Sequence, residues 1–314
     1  MEWPTLAQTN SAWNSYYSGL LSFIQANCAK LSVTRLIIRF ILPVFPLNSA
    51  QGAWWPPAAS SLYTQLLKPL ASRNIELYAY PYVMDDYNQK QWAAFSPDKT
   101  NIVRGVFEFT KQWNTFLKSV GSISKFQGVV FDYEEFNRNN AVVLSQVLGM
   151  APLKAEYGFK TGIALGYDSF AHMTMWDKVM DQFYLEFYDF YYVPEVNKTP
   201  QSPFLLYKNQ PQVLASFILK TVLGGLSENI SKYGPKVQVM WSNQNINMNC
   251  QYPLNNKTCG PNYEFGVWSA SAFNQFLAAF RKASPNLGSR PQGIFQYSFT
   301  PKDWYVTPPA ANGR

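Results

Sequence analysis

Apolar runs with the period of a β-strand alternate along this chain with runs that have the period of an α-helix. The β-prone runs predict strands at 34–45, 75–83, 127–134, 160–165, 183–192, 237–242 and 293–299. Apolar residues at helical spacing predict helices at 10–30, 57–72, 102–121, 139–156, 211–231 and 269–283. Strict alternation of this kind favours a parallel sheet with helices packed against it.

This series of units predicts an α/β fold of the (β/α)8 TIM-barrel type. A single barrel domain is expected over 1–305, followed by a C-terminal tail at 306–314. Such a barrel has eight strands, whereas the pattern predicts seven. Because a helical pattern comes first, we expect an atypical or missing first strand near 2–8 or upstream of it. The polar stretches at 84–100 and 243–266 are interpreted as long loops that build the active face.

Composition limits the classes of partner. The chain has 314 residues, of which 47% are hydrophobic and 14% charged, so a large core is expected. Aromatic residues make up 17% of the chain, and aromatic rings stack on sugars as well as fill cores. The net charge of +7 is not concentrated in a Lys/Arg run, so no nucleic-acid partner is predicted. No apolar stretch reaches the length of a membrane span, and we expect a monomer without a membrane partner.

The sequence contains few of the residues that several kinds of catalytic chemistry require. His172 is the only histidine, so a catalytic triad or a histidine-based metal cluster would have to use it. No glycine-rich phosphate loop is present. We therefore expect neither a metal nor a cofactor.

The segment 126–136, which reads FQGVVFDYEEF, places acids directly after an apolar strand pattern. Side chains alternate along a strand, so Asp132 and Glu134 share one face with Val130, and Glu135 lies on the other. In a barrel, inward-facing acids at the carboxyl end of a strand lie where the chemistry takes place. Asp132 and Glu134 are therefore the catalytic candidates. The alternative is a solvated strand end whose acids pair with loop lysines.

This segment resembles the fourth strand of family-18 glycoside hydrolases, the chitinases and endo-β-N-acetylglucosaminidases. Their pattern is Asp-Gly-x-Asp-x-Asp-x-Glu, and the corresponding residues here run from Gln127 to Glu134. The glycine and the last two acids match. Two weaker similarities follow: the run 186–189, Glu-Phe-Tyr-Asp, resembles the family's Met-x-Tyr-Asp, and 293–297 falls where the family's final strand lies.

The resemblance implies a substrate-assisted, retaining hydrolysis of β-linked N-acetylglucosamine glycans, in which the substrate's acetamido oxygen attacks the anomeric carbon. Glu134 would be the general acid that protonates the leaving oxygen. Asp132 would orient the acetamido group and stabilise its developing positive charge. Tyr188 would donate a hydrogen bond to the same group, with Asp189 nearby, although Tyr188 could equally be an ordinary core residue.

The sequence departs from the family pattern at three positions. Gln127 and Val130 replace the first two acids, and the loss of the acid at 130 removes a neighbour with which Asp132 would share a proton. Glu186 stands where an apolar residue is usual, and a buried charge needs a partner. Arg39, in the middle of the strand 34–45, is the candidate cation, which gives the hypothesis of a pair between Glu186 and Arg39.

Further substrate-binding candidates lie at or just after the ends of later predicted strands. Trp241 and Tyr297 could stack against a sugar ring, and Gln244 could bind a sugar hydroxyl. Packing against the barrel, or an ordinary polar turn, is the alternative for each.

Cysteine usage favours an extracytoplasmic location. Cys250 and Cys259 bracket a polar loop, which suits a local disulfide, whereas free thiols are the alternative. The chain starts without the basic and apolar pattern of a signal peptide. A secreted or extracytoplasmic protein is therefore expected.

Two hypotheses of function remain open beside the proposed glycosidase. The replacement of an acid by Val130 would fit a catalytically inactive, lectin-like carbohydrate-binding barrel. The third possibility is a barrel that binds a protein partner and keeps only a vestigial cleft. Retention of both Asp132 and Glu134 favours the enzyme, whose ligand would be an oligosaccharide or glycan.

Overall fold

The computed structural model describes residues 17–19, 21–22, 25, 34–40, 43, 61–83, 86–133, 141–186, 210–222, 232–242, 270–288 and 292–295. The chain divides into two compact units. The first comprises Met1–Ala164 and Met175–Gln182, and the second Leu165–Thr174 and Phe183–Arg314. The predicted single domain with a C-terminal tail stays a prediction.

The first unit contains four strands that lie side by side in chain order. They are β1 (Arg35–Phe40), β2 (Glu76–Pro81), β3 (Phe126–Tyr133) and β4 (Lys160–Leu165). The β1–β2 and β2–β3 pairs are parallel. The predicted alternation of helices with parallel strands is thus confirmed for this part of the chain.

Helices connect these strands. A wide helical turn at Leu62–Leu67 continues as α1 (Lys68–Leu70), and further along lie α2 (Asp86–Ala93), α3 (Ile102–Ser119), α4 (Ala141–Leu148) and α5 (Ala151–Tyr157). The start of α3 has a side-chain cap, because Asn101 Oδ1 accepts a hydrogen bond from the Arg104 N–H at 2.8 Å. After β4 the chain enters the second unit with a 3₁₀ turn at Tyr167–His172, and the short α6 (Met173–Trp176) leads back to the first unit.

Two predictions about these helices were wrong. The helix predicted over 139–156 is interrupted between α4 and α5, because Pro152 has no N–H to offer the carbonyl of Leu148. The stretch 84–100, interpreted as a loop, contains α2, in which Asn88 and Trp92 are both buried one helical turn apart. The polar residues between them hid this short buried face.

The second unit contains three strands, β5 (Gln182–Glu186), β6 (Val237–Ser242) and β7 (Gln292–Phe295), with parallel β5–β6 and β6–β7 pairs. Its helices are α7 (Pro211–Phe217) with a wide continuation at Ile218–Val222, a 3₁₀ turn at Gly234–Lys236, α8 (Ala270–Ala283) and α9 (Pro285–Gly288). The predicted first strand near 2–8 lies outside the described residues. Closure into an eight-stranded barrel therefore stays a prediction.

An aromatic cluster joins α3 to the sheet of the first unit. Phe40 meets Phe109 edge to face at a centroid distance of 5.0 Å, and Trp113 lies 6.3 Å from the ring of Phe126. The Asn114 amide accepts a hydrogen bond from the Phe126 N–H at 2.7 Å and donates one to its carbonyl at 2.8 Å. These contacts fix the start of β3, the strand that carries the acidic motif.

Within the described residues, no helix is both long enough and apolar enough to span a bilayer.

Candidate active site

A bulge at the start of β3 decides which of its side chains face away from α3. Leu77 pairs with Phe126, but the next residue of β2, Tyr78, pairs with Gly128, so Gln127 is the extra residue. Phe126 faces α3 through Trp113. Without the bulge, Gly128 and every second residue after it would face α3 as well. With the bulge, Gly128, Val130 and Asp132 share the opposite side, and whether this is the inner face of a barrel stays a prediction.

Gly128 matches a family position, and a close backbone approach explains it. A Cβ atom built on Gly128 would lie 2.1 Å from the carbonyl oxygen of Lys160 in β4. Only glycine permits β3 and β4 to come so close at this level. The matching glycine therefore has a structural role.

Asp132 lies near the end of β3 and is 6% exposed. Burial raises the pKa of its carboxyl above the ordinary value, while the charge of Arg39 and a hydrogen bond from the Tyr80 hydroxyl act in the opposite direction. The fold thus buries a carboxylate next to a cation and a hydroxyl. Such a group can orient a polar substrate group and stabilise positive charge that develops on it.

Arg39 and two tyrosines of the neighbouring strand complete this cluster. The Arg39 Cζ lies 5.7 Å from the centroid of the Tyr80 ring and 5.3 Å from that of Tyr82. Arg39 pairs in register with Tyr80, and the Tyr82 N–H donates to the Phe40 carbonyl at 2.8 Å, which continues the ladder beyond β2. We call Arg39, Tyr80, Tyr82 and Asp132 the carboxyl-end cluster.

Most of the other predicted site residues lie outside the described residues. This holds for Glu134, Tyr188, Asp189, Gln244 and Tyr297, as well as for Cys250 and Cys259. Their roles, the disulfide and the extracytoplasmic location stay predictions.

Two further candidates have a described position. Trp241 belongs to β6, but its side chain is outside the described set. Glu186, the last residue of β5, is 2% exposed. The hypothesised Arg39–Glu186 pair would join residues of different units and stays a prediction.

The sequence reasoning missed Tyr80 and Tyr82. The signal was present, because Tyr78, Tyr80 and Tyr82 alternate in the run 78–82 and therefore share a face. The run was interpreted only as a strand. The sequence analysis pairs Arg39 with Glu186, a hypothesis that stays a prediction, and does not connect Arg39 with Asp132.

Among the described residues, no group of three or more His, Cys, Asp or Glu side chains could hold a metal ion.

Comparisons with known proteins return only structural similarity. No family model and no curated protein matches the chain. The chain is similar to a chitinase from Chromobacterium violaceum at 9% identity, covering 92% of this chain and 94% of that one, with a TM-score of 0.47. It is also similar to a class V chitinase from Pseudomonas fluorescens Pf-5 at 14% identity, with 94% and 96% covered and a TM-score of 0.46. A GH18 chitinase from Pseudoalteromonas aurantia is 11% identical, with 89% and 92% covered and a TM-score of 0.42.

Proposed function

We propose that this protein is a glycoside hydrolase that cleaves β-linked N-acetylglucosamine glycans, either chitin oligomers or the core of N-glycans. The observation that carries the proposal is the position of Asp132, a buried carboxylate near the carboxyl end of β3, on the face turned away from α3. It occupies the place of the second-last acid of the family-18 pattern, and the matching Gly128 meets the backbone of β4.

In the proposed mechanism the acetamido oxygen of the substrate attacks the anomeric carbon, so the enzyme needs no nucleophile of its own. The bond to the leaving oxygen breaks as Glu134 gives that oxygen a proton. The resulting oxazolinium ion carries positive charge, which the Asp132 carboxylate stabilises. Water then opens the ring with Glu134 acting as base, and the anomeric configuration is retained.

A matched pair of substitutions tests this proposal. Glu134→Gln removes the proposed acid, and Glu135→Gln makes the same change at the neighbouring position, which the sequence pattern predicts on the opposite face. Hydrolysis of a chitin oligomer and of a high-mannose glycopeptide is measured for both variants and the wild type. We expect Glu134→Gln to lower turnover by about 10²–10⁴-fold and Glu135→Gln to change it by less than about threefold. Equal losses in both variants would contradict the assignment of Glu134.

The second candidate is a lectin-like barrel that binds the same glycans without cleaving them. It is favoured by Val130, which is 1% exposed and apolar where the family pattern has an acid. Calorimetric titration with the chitin oligomer distinguishes the two. Binding without turnover in both wild type and Glu134→Gln supports the lectin, whereas neither binding nor turnover with either glycan contradicts both candidates.

A further inference from the structure

Arg39 is the next-to-last residue of β1, at the carboxyl end of the strand. Its neighbours Ile38 and Phe40 are buried, and Phe40 packs on α3, so Arg39 faces the other side of the sheet. Its guanidinium lies over the rings of Tyr80 and Tyr82, which belong to the strand between β1 and β3. The Arg39 side chain therefore extends from β1 over β2, and its positive charge lies towards β3, the strand that carries Asp132.

Tyr80 connects the two charged side chains. It is 6% exposed, its ring supports the Arg39 guanidinium, and its hydroxyl donates a hydrogen bond to Asp132. A flat guanidinium over an aromatic face has a restricted orientation. A change at Arg39 is therefore expected to reach Asp132 both directly, through charge, and indirectly, through Tyr80.

The identity of residue 130 explains why such an arrangement is needed. The resemblance implies an acid at this position that would share a proton with the acid at 132, which would limit the charge that the pair must carry. Val130 offers no proton and no hydrogen bond. Burying a carboxylate is costly unless other groups stabilise its charge, and for Asp132 two such groups come from the neighbouring strands β1 and β2.

We propose that Arg39 is a positioning residue for Asp132, and that its guanidinium supplies the countercharge which a shared proton supplies in the family pattern. The inference rests on the proposed function and deepens it, since Asp132 would stay ionised throughout turnover and face the positively charged oxazolinium. Arg39 from β1 and Tyr80 from β2 are among the titratable groups that act on Asp132, and the alternation of side chains predicts Glu134 on the same face. On β4, the run 161–165 contains no charged residue.

The decisive experiment follows the Asp132 carboxyl itself, so it does not depend on turnover. Protein labelled with ¹³C at the Asp side-chain carboxyl is titrated by NMR, and the Asp132 signal is identified by its loss in Asp132→Asn. In Arg39→Met we expect the midpoint of this signal to move to higher pH, because the stabilising charge is gone. Arg39→Lys keeps the charge and should retain most of the wild-type behaviour.

Arg35→Met is the matched control. Arg35 lies on the same strand and the same face, four positions before Arg39, and it also lies over a tyrosine ring, that of Tyr78. We expect Arg35→Met to leave the Asp132 midpoint unchanged. An unchanged midpoint in a folded Arg39→Met, or an equal shift in Arg35→Met, would overturn the proposal.

If Arg39→Met does not fold, Tyr80→Phe provides the second test. It removes only the hydroxyl, and we again expect a midpoint at higher pH, whereas no change would refute the link through Tyr80. Where hydrolysis is measurable, Arg39→Met should lower kcat/KM about tenfold or more at pH 5 and much less at pH 8. A shifted midpoint in a protein that cleaves no glycan would leave the positioning role standing and refute the proposed function alone.

Discussion

Each end of the sheet in the first unit combines an arginine, a tyrosine and an acid, but the pKa of the acid shifts in opposite directions at the two ends. At the amino end, Arg35 of β1 lies 4.8 Å from the ring centroid of Tyr78, beside the carboxylate of Glu76. At the carboxyl end, Arg39 of β1 lies 5.7 Å from the ring centroid of Tyr80, and Asp132 is the carboxylate. The two ends differ in the solvent exposure of the acid.

At the amino end the acid is well compensated. Arg35 Nε and Nη2 donate to Glu76 Oε2 at 2.9 Å and 2.6 Å, and Lys160 Nζ lies 3.7 Å from the other oxygen. The Glu76 side chain is 37% exposed. Partial burial raises the pKa of this carboxyl, but Arg35 and Lys160 outweigh that effect and hold it below its ordinary value. This group is an ordinary structural ion cluster.

At the carboxyl end the balance is reversed. Asp132 is almost completely buried, and burial outweighs Arg39 and Tyr80, so its pKa lies above the ordinary value. A buried carboxylate whose pKa is raised can gain stability when a further cationic group arrives beside it. The contrast teaches that exposure, and not the kind of neighbour, separates the structural acid from the acid suited to chemistry.

The largest effect on stability is expected from a substitution at Gly128, which lies in β3 between the two ends of the sheet. Gly128→Ala would place a Cβ atom 2.1 Å from the Lys160 carbonyl oxygen, so the backbone of β4 must move. We expect a loss of about 3 kcal/mol in the free energy of unfolding, measured by urea denaturation. Any activity should fall too, because β3 carries Asp132.

Gly158→Ala is the control for this change. Gly158 has φ +69° with nothing within 4 Å of a built Cβ, so alanine there costs only backbone strain, about 1 kcal/mol. A Gly128→Ala protein that is no less stable than Gly158→Ala would show that β3 and β4 do not need their close approach.

Replacing each acid by its neutral amide is expected to change the free energy of unfolding at pH 7 by a smaller amount. The change should have opposite signs at the two ends of the sheet. The pKa of Asp132 is raised in the folded state, so its contribution to stability is lost as the pH rises through that folded pKa. Asp132→Asn cannot ionise and should therefore raise the free energy of unfolding at pH 7 by about 1 kcal/mol. Urea denaturation at pH 7 measures the change, and a destabilised Asp132→Asn protein would contradict a raised pKa for this carboxyl in the folded state.

Glu76→Gln should do the reverse. The pKa of Glu76 is lowered in the folded state, so its contribution is present above the unfolded pKa and is lost as the pH falls through the folded pKa. We expect Glu76→Gln to lower the free energy of unfolding at pH 7 by less than about 1 kcal/mol, as is usual for a partly exposed pair. Changes of the same sign in both variants would abolish the distinction between the two ends.

The sequence predicted the elements of this fold well where one physical signal dominated. The strand predicted at 237–242 agrees with β6, and the helix predicted at 102–121 agrees with α3 within two residues. Long amphipathic helices and buried strands have strong periodic patterns. The predicted helix over 139–156 failed because Pro152 acts on the backbone of a segment whose apolar spacing continues through it.

For Asp132, the sequence predicted the face of its own strand but not its neighbours on β1 and β2. Parity predicts Asp132 on the inner face of a barrel, and the structure places it on the face turned away from α3 through a bulge at Gln127 that the sequence did not reveal. The partners of Asp132 come from β1 and β2, and single-strand parity cannot show which residues of different strands meet. Register was needed to bring Arg39 beside Tyr80.

The smallest expected effect is the salt dependence of these two changes in the free energy of unfolding. It tests most directly whether the acids at the two ends of the sheet differ in exposure. At 1 M NaCl the Debye length is about 3 Å, so exposed charges are strongly screened and buried ones much less. The cost of Glu76→Gln, measured as a difference from wild type in the same salt, should therefore fall below about 0.3 kcal/mol. The gain from Asp132→Asn should be nearly the same at 0.05 M and 1 M NaCl, because ions do not reach the buried carboxyl. Taking each variant relative to wild type removes the general effect of salt on folding. If both differences shrink in proportion, Asp132 lies within reach of solvent ions like Glu76, and the carboxyl-end cluster is a second structural ion cluster.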